Sequence, residues 1–306
     1  MQNIVYYTTG ILLLSVGIFI GLERKFPYTK GLPFFREGFW IDLVWYTLIQ
    51  SYFLKILIFG YIILPLDRHW HLSALHLTGD WPLALQVLFF LLIHDFYIYW
   101  FHRWQHHSPV LWRTHEAHHS NKEVDWLAGA RSHSLEILIN QTVEFAPIIL
   151  LGADPRVVPI KALLDAVWGM YIHSNINVRS GKWQYIINGP EMHQWHHAND
   201  RAVFYANYST KLAVWDWLFG TAYLPDKKPV EYGLYYDYPK DYFLQHWFAL
   251  KRVDEGQLLA RYRFFRAYHY SRQRLLRWIR DRLKRDRPPE QGKKKEKEGA
   301  WPGSIF

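Results

Sequence analysis

Long apolar stretches alternate with short polar ones along the first two thirds of the chain. Three of them, residues 4–22, 40–66 and 82–101, carry few charges and are long enough to cross a bilayer. Two more polar segments, residues 134–151 and 157–176, are joined by a Gly-Ala-Asp-Pro sequence that is typical of a turn, and we expect them to form a hairpin. The pattern predicts an all-α protein, an integral membrane helical bundle of about four to five membrane segments.

The loop charges predict which side of the membrane each loop faces. Lys and Arg are enriched in cytosolic loops, and they are frequent in residues 24–36, in residues 103–133 and after residue 177. One orientation places all of these basic stretches in the cytosol and leaves residues 67–81 outside. We therefore expect a multi-pass protein whose histidine clusters face the cytosol. The first apolar segment lacks a basic start and a cleavage site, so we interpret it as a retained anchor.

Composition restricts the ligands and partners. The 306 residues include no cysteine, which excludes disulfides and thiolate metal ligands, and they include 17 histidines. The net charge of +9, together with the apolar segments, favours an anionic lipid surface over nucleic acid as a partner. Residues 261–285 interleave arginines with large apolar side chains and predict an amphipathic surface helix, and we expect disorder after residue 287.

Three short histidine strings carry the candidate chemistry. They are His102-x3-His106, His115-x2-His118-His119 and His193-x2-His196-His197. Positions i, i+3 and i+4 of a helix share one face, so each string presents two or three imidazoles to a common point. Eight imidazoles exceed what one ion accepts, and the strings therefore predict a dinuclear metal site.

The ligand type alone does not select the metal, because imidazole suits iron, zinc, copper and nickel. A structural zinc site needs four ligands and usually includes cysteine. A nitrogen-rich dinuclear site beside a membrane favours redox chemistry with oxygen. We therefore expect two iron ions, with zinc as an alternative occupant of purified protein.

Residues flanking the strings complete a pattern that resembles the fatty acid hydroxylase and sterol desaturase superfamily over about residues 89–224. The matching positions are Asp95, Tyr99, Trp100, Arg103, Trp112, Pro190, Asn207, Tyr208, Trp215, Asp216 and Gly220. The resemblance implies a membrane helical fold with a cytosolic helical cap that holds two metals. It also implies O2-dependent hydroxylation or desaturation of a lipid, such as a fatty acyl, sterol or alkylglycerol lipid. We accordingly divide the chain into N-terminal membrane segments with an outer loop (residues 1–81), a hydroxylase-like catalytic core (82–224) and a basic cytosolic C-terminal region (225–306).

The chain departs from the family pattern at two places. Fatty acid 2-hydroxylases have a further His-x3-His string, and here it begins at His173 but ends at Asn177. The resemblance implies that His173 is a metal ligand and leaves Asn177 either a weak ligand or no ligand. The family's His-Pro dipeptide corresponds to His133 followed by serine, and His133 is either a ligand, a residue that supports the ligands or a core residue.

Asp95 is the candidate for orienting a ligand ring. It lies seven residues before His102, so it shares the ligand face of the helix two turns deeper in the membrane, where a carboxylate needs a function. We expect it to accept a hydrogen bond from a ligand imidazole; the alternative is an ion pair with Arg103 or Arg131. Glu136 is a second candidate for the same function.

Other histidines are expected outside the site. His69, His71 and His76 fall in the predicted outer loop, and His107 and His246 have no partner at helical spacing, as also holds for His269. His107 is one residue past His106 and about 100° round the helix from it.

Redox partners must be separate proteins, because the chain contains no recognisable haem, flavin or iron–sulfur module. We expect no bound organic cofactor and an external electron donor, either a cytochrome b5-type protein or a ferredoxin with its reductase. The alternative function is that of a histidine-rich membrane protein that binds or transports metal without oxygenase activity. Transporters place their ligands near the bilayer midplane, whereas these clusters follow the ends of the predicted spans.

Overall fold

Helices form the regular secondary structure of this computed structural model, which describes residues 2–251 together with residues 274, 275, 277 and 278. Within this part of the chain the only β pairing consists of two isolated bridges, Pro27 with Ile176 and Ala198 with Tyr232. The predicted all-α class is therefore confirmed. The chain divides into two units, Met1–Arg252 and Val253–Phe306, and the first unit contains the three helices that could cross a membrane.

These three helices are long and apolar. They are α1 (Gln2–Lys25), α2 (Ile41–Trp70) and α3 (Leu83–His107), with 24, 30 and 25 residues. Most of the α1 surface is exposed, including Leu13 at 67% and Leu14 at 65%. An apolar surface this extensive is favourable against lipid and unfavourable against water. These helices identify a membrane protein, as the hydropathy pattern predicts.

The two more polar segments form the predicted hairpin. They are α5 (Ser134–Leu150) and α6 (Val157–His173), each of 17 residues, which is shorter than the three helices that could cross a membrane. Their connection packs beside the start of α3, where Thr78 N donates to Leu151 O (3.1 Å) and Asp154 N donates to Gln86 Oε1 (2.8 Å). An apolar core that includes the fully buried Ile58 joins α2, α3 and the hairpin.

Short helices form a cap at the other end of α3. They are α4 (Pro109–His115), α7 (Pro190–His196), α8 (Val214–Leu218) and α9 (Tyr242–Leu250). Proline or a side-chain cap defines the start of three of them: α7 begins at Pro190, Ser108 Oγ accepts from Leu111 N (3.4 Å) before α4, and Asp241 Oδ1 accepts from Phe243 N (3.0 Å) before α9. The 25 residues of α3 span about 37 Å at 1.5 Å each. The cap and the loop of residues 71–82 therefore lie at opposite ends of the bundle.

The predicted C-terminal amphipathic helix, residues 261–285, lies outside the described residues except at positions 274, 275, 277 and 278, which are helical. The tail after residue 287, for which we expect disorder, also lies outside them.

Candidate metal centre

Nine histidines gather in the cap as two groups. The first group is His102, His106, His115, His119 and His196, and the second group is His118, His173, His193 and His197. Within each group, one ring nitrogen from every residue lies within 4.8 Å of the others. The structure thus brings together all eight histidines of the three strings and adds His173 to them.

Each His-x2-His-His string is shared between the groups. Its first and last histidines, at positions i and i+4, belong to one group, and the middle histidine belongs to the other. The string that begins at His115 gives its pair to the first group, whereas the string that begins at His193 gives its pair to the second. Adjacent histidines therefore face different points, which is the arrangement that two neighbouring ions require.

Backbone carbonyl groups fix the orientation of five rings. The Nδ1–O pairs are His102 with Tyr208 (2.8 Å), His106 with Phe204 (2.9 Å), His196 with Ala206 (2.8 Å), His118 with Arg131 (3.1 Å) and His173 with Gly169 (2.8 Å). A carbonyl oxygen only accepts, so each Nδ1 carries the proton. In the neutral ring, the Nε2 atom then holds a free lone pair that is available to a metal.

The Nε2 atoms of each group converge on a common point. In the first group all five are buried and have no hydrogen-bond partner among the described residues. In the second group, His173 Nε2 lies 3.3 Å from His118 Nε2 and 2.8 Å from His193 Nε2. The His118 and His173 lone pairs repel each other unless a cation lies between them. Two nitrogens bound at about 2.1 Å and at a right angle to each other are about 3.0 Å apart, so both groups fit a transition-metal ion.

Burial keeps the imidazoles in the form that binds metal. Burial first, and then the neighbouring rings, lower the pKa of His119, His193 and His197 well below the usual value. These rings are neutral near pH 7, and neutral imidazole is the ligand form.

Glu136 makes a carboxylate contact to a histidine of the first group. Its Oε1 lies 2.9 Å from His115 Nδ1, and both side chains are buried. Burial raises the pKa of Glu136 to about 7, whereas its position in the first turn of α5 favours the negative charge through the helix dipole. A carboxylate at this position orients the ring and raises the basicity of its Nε2.

The predicted hydrogen bond between Asp95 and a ligand imidazole is wrong, and so is the alternative, an ion pair with an arginine. Its two oxygens accept four hydrogen bonds from residues 210–215. The donors are Thr210 Oγ1 (3.0 Å), Lys211 N (3.0 Å), Leu212 N (3.1 Å) and Trp215 Nε1 (2.9 Å). Asp95 instead anchors this loop to α3, because the loop passes close enough to satisfy both oxygens of the buried carboxylate.

His133 lies outside both groups, which corrects its place among the candidate ligands. It is the residue before α5, and its Nδ1 accepts from Leu135 N (3.1 Å). Its Nε2 lies 3.2 Å from His246 O. Since one nitrogen accepts from an N–H and the other must donate to a carbonyl, His133 has no free lone pair for a metal.

The remaining candidates also lie away from the centre. Asn177 is exposed, and its backbone N donates to Phe26 O (2.7 Å). His107 is exposed, and its Nδ1 lies 2.8 Å from Arg103 O. The loop that contains His76 is at the other end of α3. These placements agree with the helical-face and topology arguments.

A third polar group lies inside the bundle, and no single sequence motif indicates it. His94, Glu144 and Asp165 offer atoms within 4.8 Å of one another. Lys161 Nζ lies 3.1 Å from His94 Nδ1, 2.9 Å from Glu144 Oε1 and 2.6 Å from Asp165 Oδ2. Its ammonium group therefore stands where a metal would bind. The charges of residues 134–176 are visible in the sequence, but their mutual contacts depend on packing.

A cavity of about 320 Å³ opens against the first group. Three of its lining residues, His106, His119 and His196, belong to that group, and most of the remainder of its wall is apolar, with Trp112 and Leu234 among the lining. No second-group histidine lines it. The cavity thus gives access to one of the two candidate metal positions.

The chain is similar to proteins of known activity. A family model described as "Fatty acid hydroxylase" matches residues 87–221. The ornithine lipid hydroxylase of Rhizobium tropici is 30% identical over 235 residues, which cover 74% of this chain and 68% of that protein. The human alkylglycerol monooxygenase is 31% identical over 140 residues, 46% of this chain but only 31% of the relative. Methylsterol monooxygenase 1 of Rattus norvegicus is 26% identical over 214 residues, 66% and 69% of the two chains. No solved structure matches.

Proposed function

Because this chain belongs to the fatty acid hydroxylase family, we propose that it is a membrane di-iron oxygenase that uses O2 and external electrons to hydroxylate or desaturate a lipid. Family membership makes it an oxidoreductase of the monooxygenase type. The relatives are named for ornithine lipid, alkylglycerol and methylsterol, which are all lipids. We accordingly infer a membrane lipid as the substrate, whether fatty acyl, alkylglycerol or sterol.

The observation that carries the proposal is the convergence of nine histidines, eight of them buried and His106 half-buried, into two groups. The first group would hold one iron ion through five Nε2 atoms, and the second group would hold the other through four rings. Bound iron supplies the capacity to activate O2 for oxidation of an unactivated C–H bond. The chain's own residues hold the rings neutral, fix their orientation through carbonyl groups and Glu136, and exclude water from the ligands.

The apolar cavity beside the first group is the proposed path of the substrate. A volume of about 320 Å³ accommodates a segment of a lipid chain, although not a whole membrane lipid. The aromatic and aliphatic wall, which includes Trp112 and Leu234, would hold that segment while His106 and His119 face it. We infer that the reacting carbon approaches the first group.

The cap is proposed to face the cytosol, because the basic loops and the histidine strings share one end of the bundle. Electrons would then come from a separate cytosolic donor, a cytochrome b5-type protein or a ferredoxin with its reductase. A net charge of +9 favours docking of an acidic donor.

Metal transport is the competing function, and the position of the histidines disfavours it. Transporters bind their cargo near the bilayer midplane, whereas both histidine groups lie in the cap. The polar group within the bundle, which would suit such a pathway, contains the ammonium of Lys161 instead of space for an ion.

The test uses the full chain purified into lipid nanodiscs and loaded with Fe2+. We expect about two irons per chain by elemental analysis and oxygen consumption that requires both a lipid and an electron donor. With 18O2, hydroxylation transfers one labelled oxygen atom to the lipid, and desaturation transfers none. Stoichiometric iron without oxygen consumption on any of the three lipid classes, together with metal flux in liposomes, would establish transport instead.

A further inference from the structure

One short segment holds three of the five histidines of the first group. The carbonyl oxygens of residues 204, 206 and 208 accept from the Nδ1 atoms of His106, His196 and His102, at 2.8–2.9 Å. Two of these rings belong to α3 and the third to α7. Residues 204–208 therefore set the position of two helices relative to each other at the first metal position. In the second group, His118 and His173 use carbonyls of other segments.

Asn207 fixes the backbone of this segment. It has a φ of 59° and is fully buried, and asparagine is among the few residues that adopt this left-handed conformation readily. Its Nδ2 donates to Met192 O (3.0 Å) and Tyr223 O (2.8 Å), and its Oδ1 accepts from Tyr223 N (2.7 Å). Because Met192 belongs to α7, the side chain ties the segment to the helix that carries His196.

Asp216 fixes the end of the segment that reaches His102. Its carboxylate accepts from Tyr208 N (2.9 Å), Ser209 N (2.9 Å) and Thr221 Oγ1 (2.6 Å), and it is fully buried. The N–H groups of Tyr208 and Ser209 flank the carbonyl of Tyr208, which orients His102, and both are bound by Asp216. Without these bonds, the carbonyl of Tyr208 has greater freedom to turn away from the ring.

We propose that Asn207 and Asp216 are positioning residues for the first metal alone, acting through the carbonyls of residues 204, 206 and 208. The proposal rests on the metal occupancy in the proposed function, but not on its oxygen chemistry. Loss of either side chain loosens the orientation of three rings in the first group and leaves the carbonyl partners of the second group in place.

The experiment compares Asn207→Gly with Gln86→Ala. Glycine retains the positive φ and removes three side-chain hydrogen bonds. Gln86 is also a buried side-chain amide with three hydrogen bonds, at 2.8–3.3 Å, but it lies at the opposite end of α3. Alanine there retains the helix. The two variants thus lose the same number of bonds without backbone strain.

Metal binding is measured by titrating metal-free protein with Co2+, whose absorbance reports on ligand geometry, and with 57Fe2+ for Mössbauer spectra. A His102→Ala variant identifies the signal of the first group. We expect Asn207→Gly to lower the affinity for the first ion about 10- to 100-fold and to change the spectrum of that ion. The second ion in this variant, and both ions in Gln86→Ala, should bind as in the wild type.

Equal weakening of both ions, or unchanged binding of the first, would overturn the proposal. If Asn207→Gly fails to fold, Asp216→Asn is titrated in the same way, with the same expected selectivity. A wild-type chain that binds both ions but oxidises no lipid would refute the proposed function and leave this inference standing. A wild-type chain that binds no ion would refute both.

Discussion

Replacing Glu136 by glutamine tests whether a single carboxylate sets the strength of the first metal group. The carboxylate lies 2.9 Å from His115 Nδ1, with side-chain exposures of 5% for Glu136 and 4% for His115. Glutamine keeps an oxygen that accepts from Nδ1 but removes the negative charge. The ring therefore remains in place while its Nε2 becomes a weaker donor to the metal.

The magnitude follows from the change in hydrogen-bond type. A bond to a charged group contributes about 1.5–3 kcal/mol and a neutral one about 0.5–1.5 kcal/mol. The difference of about 1–1.5 kcal/mol corresponds to a decrease of about 5- to 13-fold in metal affinity, since 1.4 kcal/mol is tenfold. Little solvent reaches the pair, so screening does not reduce this difference.

Glu144→Gln is the matched control. Glu144 is also buried on α5, and it accepts from Lys161 Nζ (2.9 Å) instead of from a histidine. Its replacement breaks a buried ion pair and should lower stability without changing either metal affinity. The assay is a Co2+ titration of metal-free protein alongside thermal unfolding. First-group affinity that stays within twofold of wild type in Glu136→Gln, or equal weakening in the two variants, would refute the reasoning.

Three further predictions concern the ligands, a close contact and the topology. His118→Ala should abolish binding of the second ion and lipid oxidation, as measured by elemental analysis and product assays. His107 lines the cavity but belongs to neither group, so His107→Ala should leave both ions bound in the same elemental analysis. Gly129→Ala should weaken the second ion, because a Cβ at that position would lie 2.4 Å from Nδ1 of a second-group ring, whereas Gly169→Ala has open space around its Cβ and should bind as wild type in the same titration. In this cysteine-free chain, His76→Cys should react with an impermeant maleimide from outside intact cells and His107→Cys only after permeabilisation; labelling of both from outside would contradict the topology.

The sequence predicted the histidine strings because their geometry is local. Histidines at positions i and i+4 project from one side of a helix, so the pairing of His102 with His106 and of His193 with His197 could be predicted from their spacing. The division of each string between two groups was not visible, because it depends on how the cap helices meet. The role of residues 204–208 could not be predicted either. Every residue type has a backbone carbonyl, so the sequence shows no pattern that would indicate it.

The errors at Asp95 and His133 share a physical cause. Asp95 was assigned by its spacing from His102, and His133 by its match to the family's His-Pro position, but a buried polar side chain takes whichever partner its tertiary surroundings supply. For Asp95 that partner is a loop more than one hundred residues later, and for His133 it is the first turn of its own helix. Glu136 reaches a first-group histidine because α5 packs against α4, which ends at His115.

The contact between Glu136 and His115 supplies a negative charge beside the first group. The first group contains five imidazoles and no carboxylate, so an ion bound there would keep its full positive charge within a buried site. In such a site the Coulomb interaction with one nearby negative charge is far stronger than in water. The contact between Glu136 and His115 places that charge one imidazole ring away from the ion instead of in direct contact with it. The carboxylate can therefore strengthen the first site without taking a ligand position, and this asymmetry distinguishes the group that borders the apolar cavity from the group that does not.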